Sequence, residues 1–260
     1  MVVVLETFDL GIGYRGKPVG RHLDIAIEAE TVTMLLGPNG CGKTTLFRTL
    51  LGLLPAQAGE VALDGAPIGR LTRADMAKRM AYVPQVAQGY FPYSVLDVVL
   101  MGRAPYLGMF DKPGVRDHEI ALAALDGLGL AGVADQPFTA ISGGQRQLAL
   151  IARGLAQDAP IIVMDERTAN LDYGNQHRIL ARCRALARDG WTVIVSTHNP
   201  DHALAYSDRV VVMKDGSVLA TGEATAVMTG ELLSEVYGMP IVVSETGRGD
   251  TRRHVAIMPE

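Results

Sequence analysis

Cysteine is nearly absent from this sequence: Cys41 and Cys183 are the whole supply in 260 residues. Two thiols cannot build a disulfide framework, so a reducing compartment is expected. Long apolar runs are missing too. Stretches such as residues 2–5 and 161–164 fall far short of the ~20 residues that span a bilayer. The opening MVVVLETFDL has no basic n-region and no small-residue cleavage site, so no secretory signal is expected. Basic residues are not in excess, with 24 Lys plus Arg against 28 Asp plus Glu and a formal net charge of -4. That balance excludes a protein that grips nucleic acid through a broadly basic surface. No internal repeat or low-complexity tract is found. What is present, 48% hydrophobic and 20% charged residues, suits an ordered chain with one large domain or two modest ones. A soluble, cytoplasmic protein is predicted.

Glycines sit where apolar runs meet helical patterns, as at the turns of α/β proteins. Residues 32–36, 81–83, 161–165 and 192–196 read as short buried strands, the near-continuous apolar runs that a parallel sheet needs. Helical stretches at 43–53, 117–128, 144–156 and 176–188 alternate with them, predicting helices on both faces of a mostly parallel sheet. Alternating strands at 2–10, 22–29 and 60–63, with a turn at Asp64-Gly65, predict an appended antiparallel sheet. Residues 88–160 carry no convincing strand and read as an inserted helical subdomain. Two β-rich runs at 241–257, around 246–250, predict a terminal hairpin. One domain over 1–260 is expected: a core of 1–87 and 161–240, the insertion at 88–160, and the tail at 241–260.

The sharpest local signal is Gly37-Pro38-Asn39-Gly40-Cys41-Gly42-Lys43-Thr44-Thr45. It fits the P-loop pattern between a predicted strand and a predicted helix, the context that motif requires. Glycines let backbone N–H groups turn inward around a phosphate, and the helix N-terminus adds partial positive charge. Lys43 can reach the β- and γ-phosphates, and the Thr44 hydroxyl can ligate Mg2+. A second element, residues 161–164 followed by Asp165 and Glu166, matches a Walker B strand. There Asp165 can hold Mg2+ through a water, and Glu166 can polarise an attacking water.

Ser142-Gly143-Gly144-Gln145 lies between these two motifs and opens a helix, a second anion-binding terminus. One nucleotide does not need two cradles in one chain; two chains facing head to tail would use both. Here the sequence resembles the ATP-binding subunits of ABC transporters, whose signature is this Ser-Gly-Gly-Gln. The resemblance runs from about residue 4 to 240. It implies an α/β fold with a RecA-like P-loop NTPase core, an antiparallel β subdomain and an inserted α-helical subdomain. It also implies roles for further residues. Tyr14 resembles the aromatic that stacks on adenine. Gln85 matches the Q-loop glutamine that approaches Mg2+ and couples to the membrane partner. Asp172, after Asn170-Leu171, resembles the D-loop aspartate, and His198 matches the switch histidine near the γ-phosphate. One position departs from the pattern. The family usually has Pro after the catalytic glutamate, and this chain has Arg167, which keeps its N–H and places a cation beside Glu166.

The segment 94–107, with Gly102-Arg103 and Tyr106, resembles one branch, the ATPases of importers for iron-siderophore complexes, haem and cobalamin. Molybdate and tungstate importers carry similar sequences. The resemblance implies ATP and Mg2+ as ligands, a second copy and integral membrane permease subunits as partners. A periplasmic or surface solute-binding protein joins indirectly, and nucleic acid is not expected. The implied location is the cytoplasmic face of the membrane, peripherally attached. Rival readings are an exporter ATPase and a non-transport ABC ATPase. Long coiled-coil insertions or tandem cassettes would favour the latter, and neither appears in the 260 residues.

Overall fold

Apolar and polar residues alternate through the first third of the chain and build β1 (Val3–Tyr14) and β2 (Lys17–Glu28), an antiparallel pair. The structure is a computed structural model describing residues 2–84, 93–108, 110–165, 173–246 and 253–258. β1 continues beyond the expected residue 10. Register shifts around Asp9 and Gly11 break the period of two that the sequence reading followed, yet still bury Leu10 and Ile12. Next come β3 (Val32–Leu36), α1 (Lys43–Leu50), β4 (Ala58–Leu63) and β5 (Ala66–Pro67). The antiparallel sheet has the order β2-β1-β4-β5. α1 stops three residues short of the expected 53. Leu53 N–H donates to Arg48 O and Gly52 N–H to Thr49 O, the double closure that ends a helix.

The chain divides into two compact units, Met1–Leu71 with Leu180–Glu260, and Thr72–Ile179. The second unit contains α2 (Arg73–Arg79), β6 (Met80–Val83), α3 (Val95–Leu100), α4 (Val115–Asp126), α5 (Gly143–Ala156) and β7 (Ile161–Met164). The expected insertion at 88–160 lies inside this unit, where β6 and β7 pair in parallel. Three of its helices start on reciprocal caps, Thr72 with Asp75, Ser94 with Asp97 and Ser142 with Gln145. Each cap satisfies two helix-end donors with two side chains three residues apart. The buried Arg103 ties this unit together. Its Nε donates to Asp117 Oδ1 (2.8 Å) and its Nη1 to Ala156 O (2.9 Å), while the guanidinium lies 4.1 Å from the centre of the Tyr106 ring.

The returning chain forms α6 (Tyr173–Arg188), β8 (Thr192–Thr197), α7 (Pro200–Tyr206), β9 (Arg209–Lys214) and β10 (Ser217–Glu223). It finishes with α8 (Ala224–Val227), α9 (Gly230–Tyr237), β11 (Val242–Thr246) and β12 (Arg253–Ile257). In the first unit β3 runs parallel to both β8 and β9, and β10 lies antiparallel outside β9. Every residue of β3 and β8 is buried, as central parallel strands require. The sequence reading omitted β9 and β10, although a buried run, Val210 to Met213, and an Asp215-Gly216 turn mark them. β11 and β12 pair antiparallel from Val242 with Ile257 to Thr246 with Arg253.

Candidate nucleotide site

β3 delivers the chain into the loop at residues 37–42. Gly37 is required there by close approach, since a Cβ would lie 2.2 Å from Met213 O of β9. Its N–H donates to Thr197 O (3.3 Å), tying the loop to the end of β8. Gly42, at φ 109, turns the chain into α1 and offers no capping side chain. A Gly cap costs only a few tenths of a kcal/mol against Ser or Asp. Burial of Leu46, Phe47 and Leu50 contributes about 1.5–3 kcal/mol each, so packing rather than capping holds this helix. Its leading N–H groups can therefore serve an anion. Lys43 Nζ donates to Gly37 O (2.6 Å) and Pro38 O (2.9 Å), which sets the ammonium over the loop. Asn39 and Gly40 are exposed, Thr44 is half-buried, and Cys41 and Thr45 are buried.

Two further predicted residues share this unit. Leu36 pairs with Thr197 across the parallel strands β3 and β8, so the P-loop and His198 leave the same carboxyl ends side by side. Ligands of α/β sheets bind at such ends. His198 is exposed, and its carbonyl accepts the Tyr237 hydroxyl at 2.8 Å. Tyr14 ends β1, is exposed, and accepts a hydrogen bond from Arg48 Nη1 of α1 (3.2 Å). In the second unit Asp165 follows β7, is 4% exposed, and donates its N–H to Val83 O (3.0 Å). Ser142 caps α5, its hydroxyl accepting Gln145 N–H (3.2 Å) while Gln145 Oε1 accepts Ser142 N–H (2.9 Å). Gly143 is exposed and Gly144 half-buried at that terminus. Gln85, Glu166, Arg167 and Asp172 lie outside the described residues.

The sequence reading missed Tyr237 and Asn199. Asn199 Oδ1 accepts Asp201 N–H (2.9 Å), and Pro200 follows at the first helical position of α7. The Asn-Pro step was a legible helix-start signal. Tyr237 had none, because its partner is 39 residues away.

A family model, the ABC transporter, matches residues 21–169. The hemin import ATP-binding protein HmuV of Streptomyces coelicolor is 41% identical over 231 residues, covering 88% of this chain and 81% of its own. The iron(3+)-hydroxamate import ATP-binding protein FhuC of Bacillus subtilis is 36% identical, covering 90% and 87%. A solved structure of an inward-facing metal-chelate type ABC transporter superposes with a TM-score of 0.88 at 31% identity, covering 99% of this chain and 97% of its own. This chain belongs to the ABC transporter family, among its ATP-binding, ATP-hydrolysing subunits. Among the described residues no helix is long and apolar enough to cross a membrane.

Proposed function

We propose that the chain powers import of an iron chelate, a ferric hydroxamate or haem, by hydrolysing ATP beneath a membrane permease. The observation that carries ATP hydrolysis is the P-loop and His198 leaving adjacent parallel strands, with Lys43 set over the loop. The named activities of the hemin and hydroxamate relatives support the solute class. In this reading Tyr14 stacks on adenine, Gly37 and Cys41 shape the loop through their bonds to Thr197 O and Pro38 O, and the N–H groups of Asn39, Gly40, Gly42, Thr44 and Thr45 cradle the phosphates. Ser142, Gly143, Gly144, Gln145 and Asp172 serve the nucleotide of a second copy, giving two ATP molecules per head-to-tail dimer. Glu166 accepts the proton of the attacking water, and His198 contacts the γ-phosphate oxygens.

The oxygen donors suit Mg2+, a hard cation that takes carboxylates and hydroxyls together with phosphate and water. Thr44, half-buried at the start of α1, offers a hydroxyl, and the buried Asp165 a carboxylate that acts through a water. Gln85 is the third expected ligand. When bound, the ion neutralises charge on the β- and γ-phosphate oxygens. A periplasmic or surface binding protein delivers solute to the permease, and the ATPase sits peripherally at the cytoplasmic face of the membrane. The test is reconstitution with the permease in liposomes. Uptake of ferric hydroxamate or haemin should require ATP and Lys43. A complex that hydrolyses ATP but takes up neither chelate overturns the solute assignment.

A further inference from the structure

His198 stands exposed between two rigid elements, the buried strand β8 and the helix α7. Its entry is fixed, because Thr197 O accepts Gly37 N–H and Thr197 Oγ1 accepts Asn199 N–H (3.1 Å). Its own carbonyl is fixed from elsewhere, by the hydroxyl of Tyr237 at the end of α9. That helix is anchored twice. Lys214 Nζ at the end of β9 donates to Glu235 O (2.7 Å), and Ser234 Oγ accepts Ile241 N–H (2.8 Å) at the start of the terminal ribbon. The ribbon reaches back as well, with Ala256 N–H donating to Asp201 Oδ1 (2.8 Å) in the first turn of α7. The histidine segment is thus held at His198 by α9 and at Asp201 by β12.

We propose that Tyr237 is a positioning residue for His198, and that α9 with the β11–β12 ribbon is a clamp that sets the histidine against the P-loop. This rests on the reading of His198 as the γ-phosphate residue. A carbonyl held by a donor on a separately anchored helix cannot rotate its peptide freely, so the Cα–Cβ bond of the same residue keeps one direction and the imidazole starts from a fixed base. Burial above all, and then the like charge that an ionised Cys41 would set against a phenolate, pushes the Tyr237 phenol well above its ordinary range. It therefore stays a proton donor at neutral and mildly alkaline pH. The ring could serve packing alone, and Tyr237→Phe keeps the ring while removing only the hydroxyl.

The experiment uses the full-length chain with Tyr237→Phe, His198→Ala and both together. Three quantities are read: steady-state MgATP hydrolysis, ATP affinity, and amide hydrogen exchange of the segment 197–201. Tyr237→Phe should lower kcat by about three- to tenfold, the scale of one lost neutral hydrogen bond. ATP affinity should stay near the parental value while exchange at 198–201 accelerates. With His198→Ala already present, the second change should cost nothing further. Parental turnover and exchange in Tyr237→Phe, with His198→Ala slow, overturn the clamp and leave the His198 reading standing. Parental turnover in His198→Ala overturns the His198 reading and the clamp's purpose with it. An equal loss from Tyr237→Phe in both backgrounds assigns the hydroxyl to general packing and overturns the proposal.

Discussion

The ammonium of Lys43 rests on the carbonyl oxygens of Gly37 and Pro38, and its position is therefore set by the loop it serves. Hydrogen bonds to a charged group are worth about 1.5–3 kcal/mol each. Lys43→Ala should accordingly weaken ATP binding on the order of ten- to a hundredfold and leave no productive turnover. Titration with a fluorescent ATP analogue measures this, and hydrolysis at the parental rate would mean that the P-loop assignment is wrong. Arg167 is a different case, since it adds a group where the family usually has none. A guanidinium paired with Glu166 would stabilise the carboxylate and make it a poorer base, and one turned to solvent would act through the backbone alone, where an N–H replaces a rigid ring. Arg167→Pro should raise the ATPase rate and leave ATP affinity nearly unchanged, because Tyr14 and Lys43 are untouched. Paired binding and turnover titrations on both proteins, with the permease present, decide it. An unchanged rate would show that position 167 tolerates arginine. Residues whose chemistry is local, such as Lys43 in its loop, were legible in the sequence. Tyr237 was not, since its meaning comes from a helix that sequence distance hides.

Among the elements, buried central strands were the easiest to read, because apolar runs are short-range signals. Of the helices that start on reciprocal caps at Thr72, Ser94 and Ser142, only the last was placed as a helix of its own, although the boxes are short-range signals too. Element ends were harder. β1 outran its expected end because register shifts broke its alternation, and α1 stopped early because its closure depends on two backbone bonds rather than on apolar spacing. The segment 94–107 was noticed for its resemblance, and the structure gives it a physical role through Arg103. The Arg103 hydrogen bond, followed by the bond from Gly114 N–H, holds the Asp117 carboxyl below its ordinary range. A carboxylate with a depressed folded pKa stabilises the fold above its unfolded pKa and loses that contribution as pH falls through the folded one. The second unit should therefore soften as pH drops below the ordinary carboxylate range. Asp117→Asn should remove that part of the acid sensitivity and lower the melting temperature at neutral pH. Identical melting curves for the two proteins from neutral to acid pH would show that the Arg103 pair carries no stability.

For the whole molecule, the telling feature is that one chain carries two helix ends that the proposed function assigns to phosphates, at Lys43 and at Ser142. Each ATP of the proposed dimer needs the first from one copy and the second from the other. Turnover in dilute solution must then wait for two chains to meet, and the rate should rise more than linearly with protein concentration. A permease that held two copies close would shorten that wait, so its presence should raise activity at fixed ATP. Glu166→Gln isolates the association step, because the amide keeps the side chain's shape while losing its basicity. That variant should bind ATP, fail to hydrolyse it, and elute as a dimer on size-exclusion chromatography with MgATP. The parental protein should return to monomer as its nucleotide turns over. A Glu166→Gln chain that stays monomeric while saturated with ATP, together with a strictly linear rate for the parental protein, would remove the need for a second copy. The helix end at Ser142 would then be an ordinary cap.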